Sequence, residues 1–158
     1  MGLRVSSSHL LLIARTNFSA ADGIPTQVIR QTSSVQLAFV DLSGLPTRER
    51  EEKLQSFFDE QVQRPFDLIA DLMLRPCLIR LTQADHILLL VLPHITSDGW
   101  STDILCSELL SLYEAFLNGS PSPLPTLPIQ YADYSIWQRE RLKGEVLQEQ
   151  LAYWTKAL

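Results

Sequence analysis

No stretch of this chain is long and apolar enough to cross a bilayer as a helix. Its longest uninterrupted apolar run, residues 87–92, reads ILLLVL, against the roughly 20 residues a spanning helix needs. Basic clusters are missing too. The 13 Lys and Arg are outnumbered by 18 Asp and Glu, for a net charge of −5, so the electrostatic footprint of a nucleic-acid binder is absent. Neither a membrane nor a nucleic acid is expected as a partner. Cysteine is scarce: Cys77 and Cys106 stand far apart, without the density of a secreted disulfide scaffold or the paired spacing of a zinc site. They read as two reduced, mostly buried thiols of a cytoplasmic protein. No G-x-S-x-G elbow, phosphate-binding loop or metal-ligand spacing occurs, so no metal is expected and three common catalytic frameworks are set aside. No internal repeat or low-complexity region is present.

What is there is a foldable chain. Its 158 residues are 46% apolar, enough for one domain burying about 70% of its unfolded surface. The chain is organised around residues 85–117. The run at 87–92 reads as a buried strand. Pro93 and Gly99 then bracket a loop containing His94 and Asp98. The spacing of Leu105, Leu109, Leu112, Tyr113 and Phe116 predicts an amphipathic helix, stopped by Asn118-Gly119. A histidine between a buried strand and such a helix is held by two rigid elements, where a catalytic base can be positioned.

The remaining elements follow from pattern. Runs at 14–20 and 25–30 flank Asp22-Gly23, a hairpin signal. Residues 35–42 alternate as a strand, and Pro46 stands near the first position of a helix whose Leu54, Phe57, Phe58 and Val62 share a face. The charged run 48–53 is a solvated helix start. Residues 72–81 predict a strand that pairs with the run at 87–92 through a Gln83-Ala84-Asp85 turn. Pro76 requires an edge position or a bulge there. Four prolines between 119 and 128 make a semi-rigid connector within the domain. Residues 130–142 and 144–158 are helical, with Tyr131, Tyr134, Trp137, Tyr153 and Trp154 read as core. This order gives an α/β class.

Three segments carry a resemblance. Pro93-His94-Ile95-Thr96-Ser97-Asp98-Gly99 resembles the His-His-x-x-x-Asp-Gly signature of nonribosomal peptide synthetase condensation domains, with proline in place of the first histidine. Arg64-Pro65-Phe66-Asp67-Leu68 with residues 72–81 resembles the family's segment upstream, and residues 127–140 resemble the one downstream. Arg15-Thr16-Asn17-Phe18 is similar to a further Arg-Thr-x-Phe motif. The resemblance covers 14–158 as a partial condensation domain, its N-terminal lobe. It implies an α+β two-layer sandwich like chloramphenicol acetyltransferase. Residues 1–13, with Ser6-Ser7-Ser8-His9, form an atypical segment that suggests a mis-assigned start, an unspliced boundary or a truncation. Its apolar patch is too short for a signal peptide, and Met1-Gly2 with Ser6 matches a myristoylation pattern that is short and common.

The implied activity is amide formation between a carrier-bound aminoacyl or peptidyl thioester and a carrier-bound aminoacyl amine. Such chemistry needs a neutral amine aimed at the carbonyl and an acceptor for the proton it sheds. Imidazole suits both demands, and by the resemblance His94 is the catalytic residue. Asp98 reads as a helix N-cap, and the resemblance pairs it with Arg15 to support the site. Pro93 occupies the place of a supporting histidine, while Gly99 would let a phosphopantetheine arm approach the backbone. No cofactor is expected to be bound by this lobe itself. The expected partners are peptidyl carrier domains, the C-terminal lobe and an adenylation domain. Two alternatives stand beside this reading: a non-catalytic remnant or carrier-docking module, and an epimerisation or ester-forming relative. A Ser97-His94-Asp98 hydrolase triad is set aside, since three residues within five positions rarely reach that geometry.

Overall fold

The structure, a computed structural model, describes residues 15–30 and 35–158. The expectations for residues 1–13 lie outside the described residues. The chain divides into two compact units, Met1–Leu124 and Pro125–Leu158, with the boundary inside the proline-rich connector.

In the first unit, β1 (Thr16–Ala21) and β2 (Ile24–Ile29) form an antiparallel hairpin in which Ala21 faces Ile24. Asp22 and Gly23 make its two-residue loop at φ 52° and 77°. Those left-handed angles match the twist of the flanking strands, and aspartate and glycine adopt them at little steric cost. Next come β3 (Ala38–Asp41), α1 (Thr47–Gln63), β4 (Arg75–Arg80) and β5 (His86–Val91). The sheet order is β3-β4-β5, with β3 parallel and β5 antiparallel to β4. The β4–β5 turn is closed by Thr82, whose hydroxyl accepts from the amides of Ala84 and Asp85 and donates to the Asp85 carboxylate. β4 begins at Arg75, three residues later than its sequence pattern suggests.

Pro76 is accommodated at an edge. The β3 register starts at Cys77, so β4 has no neighbour on that side where the proline lacks its N–H. Alternation along β4 then sends Cys77 and Ile79 inward. With Leu42 they form the core, against which Leu54, Phe57 and Phe58 of α1 pack together with Ile87 and Leu89 of β5. This is helix on sheet, two layers. Val62 does not share the burial of its helix neighbours; it is 70% exposed.

The run at 87–92 is not the fully buried strand its composition suggests. Among the described residues β5 is an edge strand, and one of its faces meets the core. The other face carries the row Phe39, Leu78 and Leu88, aligned across all three strands, with Phe39 and Leu88 exposed. An apolar run records that both faces want cover, without recording whether the cover lies within this chain.

Helix α2 (Gly99–Leu117) ends at Asn118 in a Schellman motif. The Ser120 amide donates to Ala115 and the Gly119 amide to Phe116, with Gly119 at φ 67°. Of its apolar stripe only Leu105 is buried; Tyr113 and Phe116 are exposed. Cys106 is exposed as well, against the expectation of two buried thiols, whereas Cys77 is in the core and burial raises its pKa.

The second unit holds α3 (Tyr131–Arg141) and α4 (Gly144–Ala157). The Gln130 amide donates to the Asp133 carboxylate at the start of α3. Tyr131, Tyr134 and Trp137 form a ladder with ring centroids 6.0 and 5.6 Å apart. Their reading as core is corrected: these three, Tyr153 and Trp154 are all exposed. Helical spacing shows that Tyr131, Tyr134 and Trp137 share a face of α3, without showing that the face is buried.

Candidate functional site

The loop after β5 is built from a single acceptor. The Pro93 carbonyl accepts from the Thr96 amide at 3.0 Å, from the Thr96 hydroxyl at 2.9 Å and, more distantly, from the Ser97 hydroxyl at 3.5 Å. This closes a four-residue turn with His94 and Ile95 at its tip. Thr96 is buried at 8% exposure beneath the turn, whereas His94 faces solvent. No sequence signal singled out Thr96. A threonine in a loop is ordinary until its hydroxyl is seen to donate to the carbonyl that the turn converges on.

Asp98 is the N-cap of α2. Its carboxylate accepts from the Ser101 amide at 2.8 Å, and its own amide donates to the Ser101 hydroxyl at 2.7 Å, a reciprocal capping box. These Ser101 bonds, aided by the charge of His94, lower the carboxyl's pKa below its ordinary value. Thus His94 and Asp98 share one electrostatic neighbourhood, with the turn on one side and the helix start on the other.

Arg15 stands just before β1, where its carbonyl accepts from the Arg30 amide at 3.1 Å. The hairpin it opens is pinned to a distant turn by Asn17. The buried Asn17 amide group donates to the carbonyls of Leu68 and Asp71, at 3.3 and 2.7 Å, and the Phe18 amide donates to Leu68 at 2.8 Å. Arg30 braces the other side of Asn17 and also donates to the Ala70 carbonyl. This network escapes sequence reading, because its partners lie more than 50 residues apart.

The Arg64-Pro65-Phe66-Asp67-Leu68 segment is a structural clasp. The Arg75 guanidinium lies 3.7 Å over the Phe66 ring, donates to the carbonyls of Arg64 and Pro65, and meets the Asp71 carboxylate at 3.0 Å. Asp67 caps the following turn by accepting from the amides of Ile69 and Ala70. The Asp67 amide and the Arg75 charge in turn lower the pKa of Asp71.

Gly99 has no intrinsic reason to be glycine. A Cβ built on it meets nothing within 4 Å, and its φ is not positive. Any demand for a bare backbone there comes from outside the described residues. Among the described residues no three His, Cys, Asp or Glu come together as metal ligands, and no helix is long and apolar enough to cross a membrane. His86 lies at the start of β5, across from Arg80 and away from the loop.

Residues 12–158 match the Condensation domain family. The chain is 47% identical over 144 residues to a linear gramicidin synthase polypeptide of Brevibacillus parabrevis, covering 91% of this chain and 3% of that protein. Among solved structures it is similar to the X-domain complexed with OxyB from teicoplanin biosynthesis (29% identity, TM-score 0.79), covering 92% of this chain and 31% of that one. It also resembles a structure described as the molecular basis for condensation domain-mediated chain release from the enacyloxin polyketide synthase (27% identity, TM-score 0.69), with coverage of 92% and 28%. The chain thus spans a few per cent of the synthase and about a third of these solved chains.

Proposed function

This chain belongs to the condensation-domain family, and we propose that it supplies the N-terminal lobe of a domain that joins two carrier-bound substrates through an amide. The observation that carries this reading is the mounting of His94: solvent-facing, at the end of β5, on a turn closed by its own backbone and anchored by the capped start of α2.

In this reading the neutral amine of the acceptor attacks the thioester carbonyl of the donor. A C–N bond forms and the C–S bond breaks. His94 takes the ammonium proton of the tetrahedral adduct and returns it to the departing thiolate as the intermediate collapses. Asp98 contributes by fixing the helix start, and Arg15, held at the root of the Asn17-pinned hairpin, is the second support. The donor and acceptor ride on phosphopantetheine arms of peptidyl carrier domains. Gly99, which the fold does not need as glycine, gives such an arm close access to the backbone. The C-terminal lobe and an adenylation domain complete the working assembly.

Pro93 favours a second reading, a carrier-docking remnant without chemistry, because proline offers the loop neither a side-chain hydrogen bond nor a backbone donor. The complete parent protein separates the two. With both carriers loaded, amide product that disappears in His94→Ala supports the enzyme. A parent that is inactive and gains nothing from Pro93→His is a scaffold.

A further inference from the structure

We propose that Thr96 is a positioning residue for His94, its buried hydroxyl holding the turn on which the imidazole is displayed; this rests on the condensation reading above. With proline at 93, the loop receives no side-chain hydrogen bond from that position, so its support must come from the main chain. The Pro93 carbonyl provides it. A carbonyl oxygen has two acceptor sites, and Thr96 supplies its two shorter bonds, one from its amide and one from its hydroxyl, at 3.0 and 2.9 Å, with the Ser97 hydroxyl more distant at 3.5 Å.

The two bonds differ in what they fix. An amide bond alone closes the turn, as in any β-turn, and leaves it free to rock about that single contact. The hydroxyl bond adds a second tether within the turn, from a side chain that is itself buried, so the turn is closed at two points in place of one. The residues at its tip, His94 and Ile95, are then displayed in one orientation relative to α2, whose cap begins two residues after Thr96. Misplacement of a proton acceptor by about 1 Å is enough to slow such a step severely.

The test uses the complete parent protein with both carriers loaded. Thr96→Val keeps the shape and removes the hydroxyl, while Thr96→Ser keeps the hydroxyl and loses a methyl. Loss of one such bond should lower kcat about tenfold in Thr96→Val, with KM for the acceptor carrier within about twofold, and Thr96→Ser should stay within about threefold of the parent. Hydrogen exchange of a peptide spanning residues 89–98 should quicken in Thr96→Val alone. Unchanged kcat in Thr96→Val overturns the proposal. So does an equal loss in both variants with faster exchange throughout β4 and β5, which would mark Thr96 as ordinary packing. A parent without amide-forming activity contradicts the condensation reading instead, and exchange still decides on Thr96: quickening confined to Thr96→Val supports its hold on the turn, and unchanged exchange refutes it.

Discussion

The segment entering β4 and the loop leaving β5 are neighbours in the sheet, and each carries part of the family pattern, but they are built in opposite ways. The first is a clasp. The Arg75 guanidinium, 15% exposed, draws two carbonyls, a carboxylate and the Phe66 ring around itself. The second points its distinctive side chain outward and ties itself down through a backbone carbonyl. Side chains that turn inward to satisfy neighbours belong to the fold; one held rigidly and left facing solvent is available for chemistry.

Substitutions in the two segments should therefore separate activity from stability. The largest effect is expected at His94. His94→Ala in the complete parent should lower amide formation by about a hundredfold or more while leaving the thermal midpoint nearly unchanged; a variant that melts early instead would place His94 in the clasp's category. Gly99→Ala should lower the rate with carrier-bound substrates roughly tenfold, because open space around the added Cβ spares the fold. Equal rates would show that no arm approaches there.

Arg75→Met should do the reverse. It leaves two carbonyls and the Asp71 carboxylate without their cation, costing about 2–3 kcal/mol in denaturant titration, with kcat of the folded fraction kept within about twofold. The smallest effect is the acid response. Both Asp71 and Asp98 have pKa values lowered by folding, so the unfolded chain takes up their protons first. Their contribution is therefore present above the ordinary carboxylate range and is lost as pH falls below about 4. Asp71→Asn should flatten that part of the stability profile assigned to the clasp, measured by thermal midpoints between about pH 3 and 6. Cys77 has the opposite sign: its raised pKa gives a contribution present below the ordinary thiol range and lost as pH rises through the folded-state value.

Local signals were the legible part of this chain. Asp22-Gly23 dictates a two-residue hairpin, Asn118-Gly119 a helix stop, and the Gln83-Ala84-Asp85 turn a β4–β5 pairing. Each depends on backbone angles or on bonds spanning a few residues, which neighbouring residue types control. The parallel pairing of β3 with β4 and the Asn17 network were not legible, because their partners are brought together only by the fold. Periodicity misled in one consistent way. Val62, Tyr113, Phe116 and the aromatics of α3 and α4 all lie on apolar faces yet are exposed. A pattern reports that a face seeks cover, and among the described residues these positions are left exposed. At the candidate site, His94 and Asp98 were found through motif and spacing, whereas Thr96 was missed because its role is to serve another residue's carbonyl.

That carbonyl has an evolutionary corollary. Every amino acid carries the same main-chain oxygen, so a turn organised around the one at position 93 can survive replacement of the side chain there. A lineage could exchange the residue at 93 while retaining the turn's geometry. Loss of a side chain's chemistry and collapse of the loop are then separate events, and a restored histidine at 93 would enter a turn that is already formed.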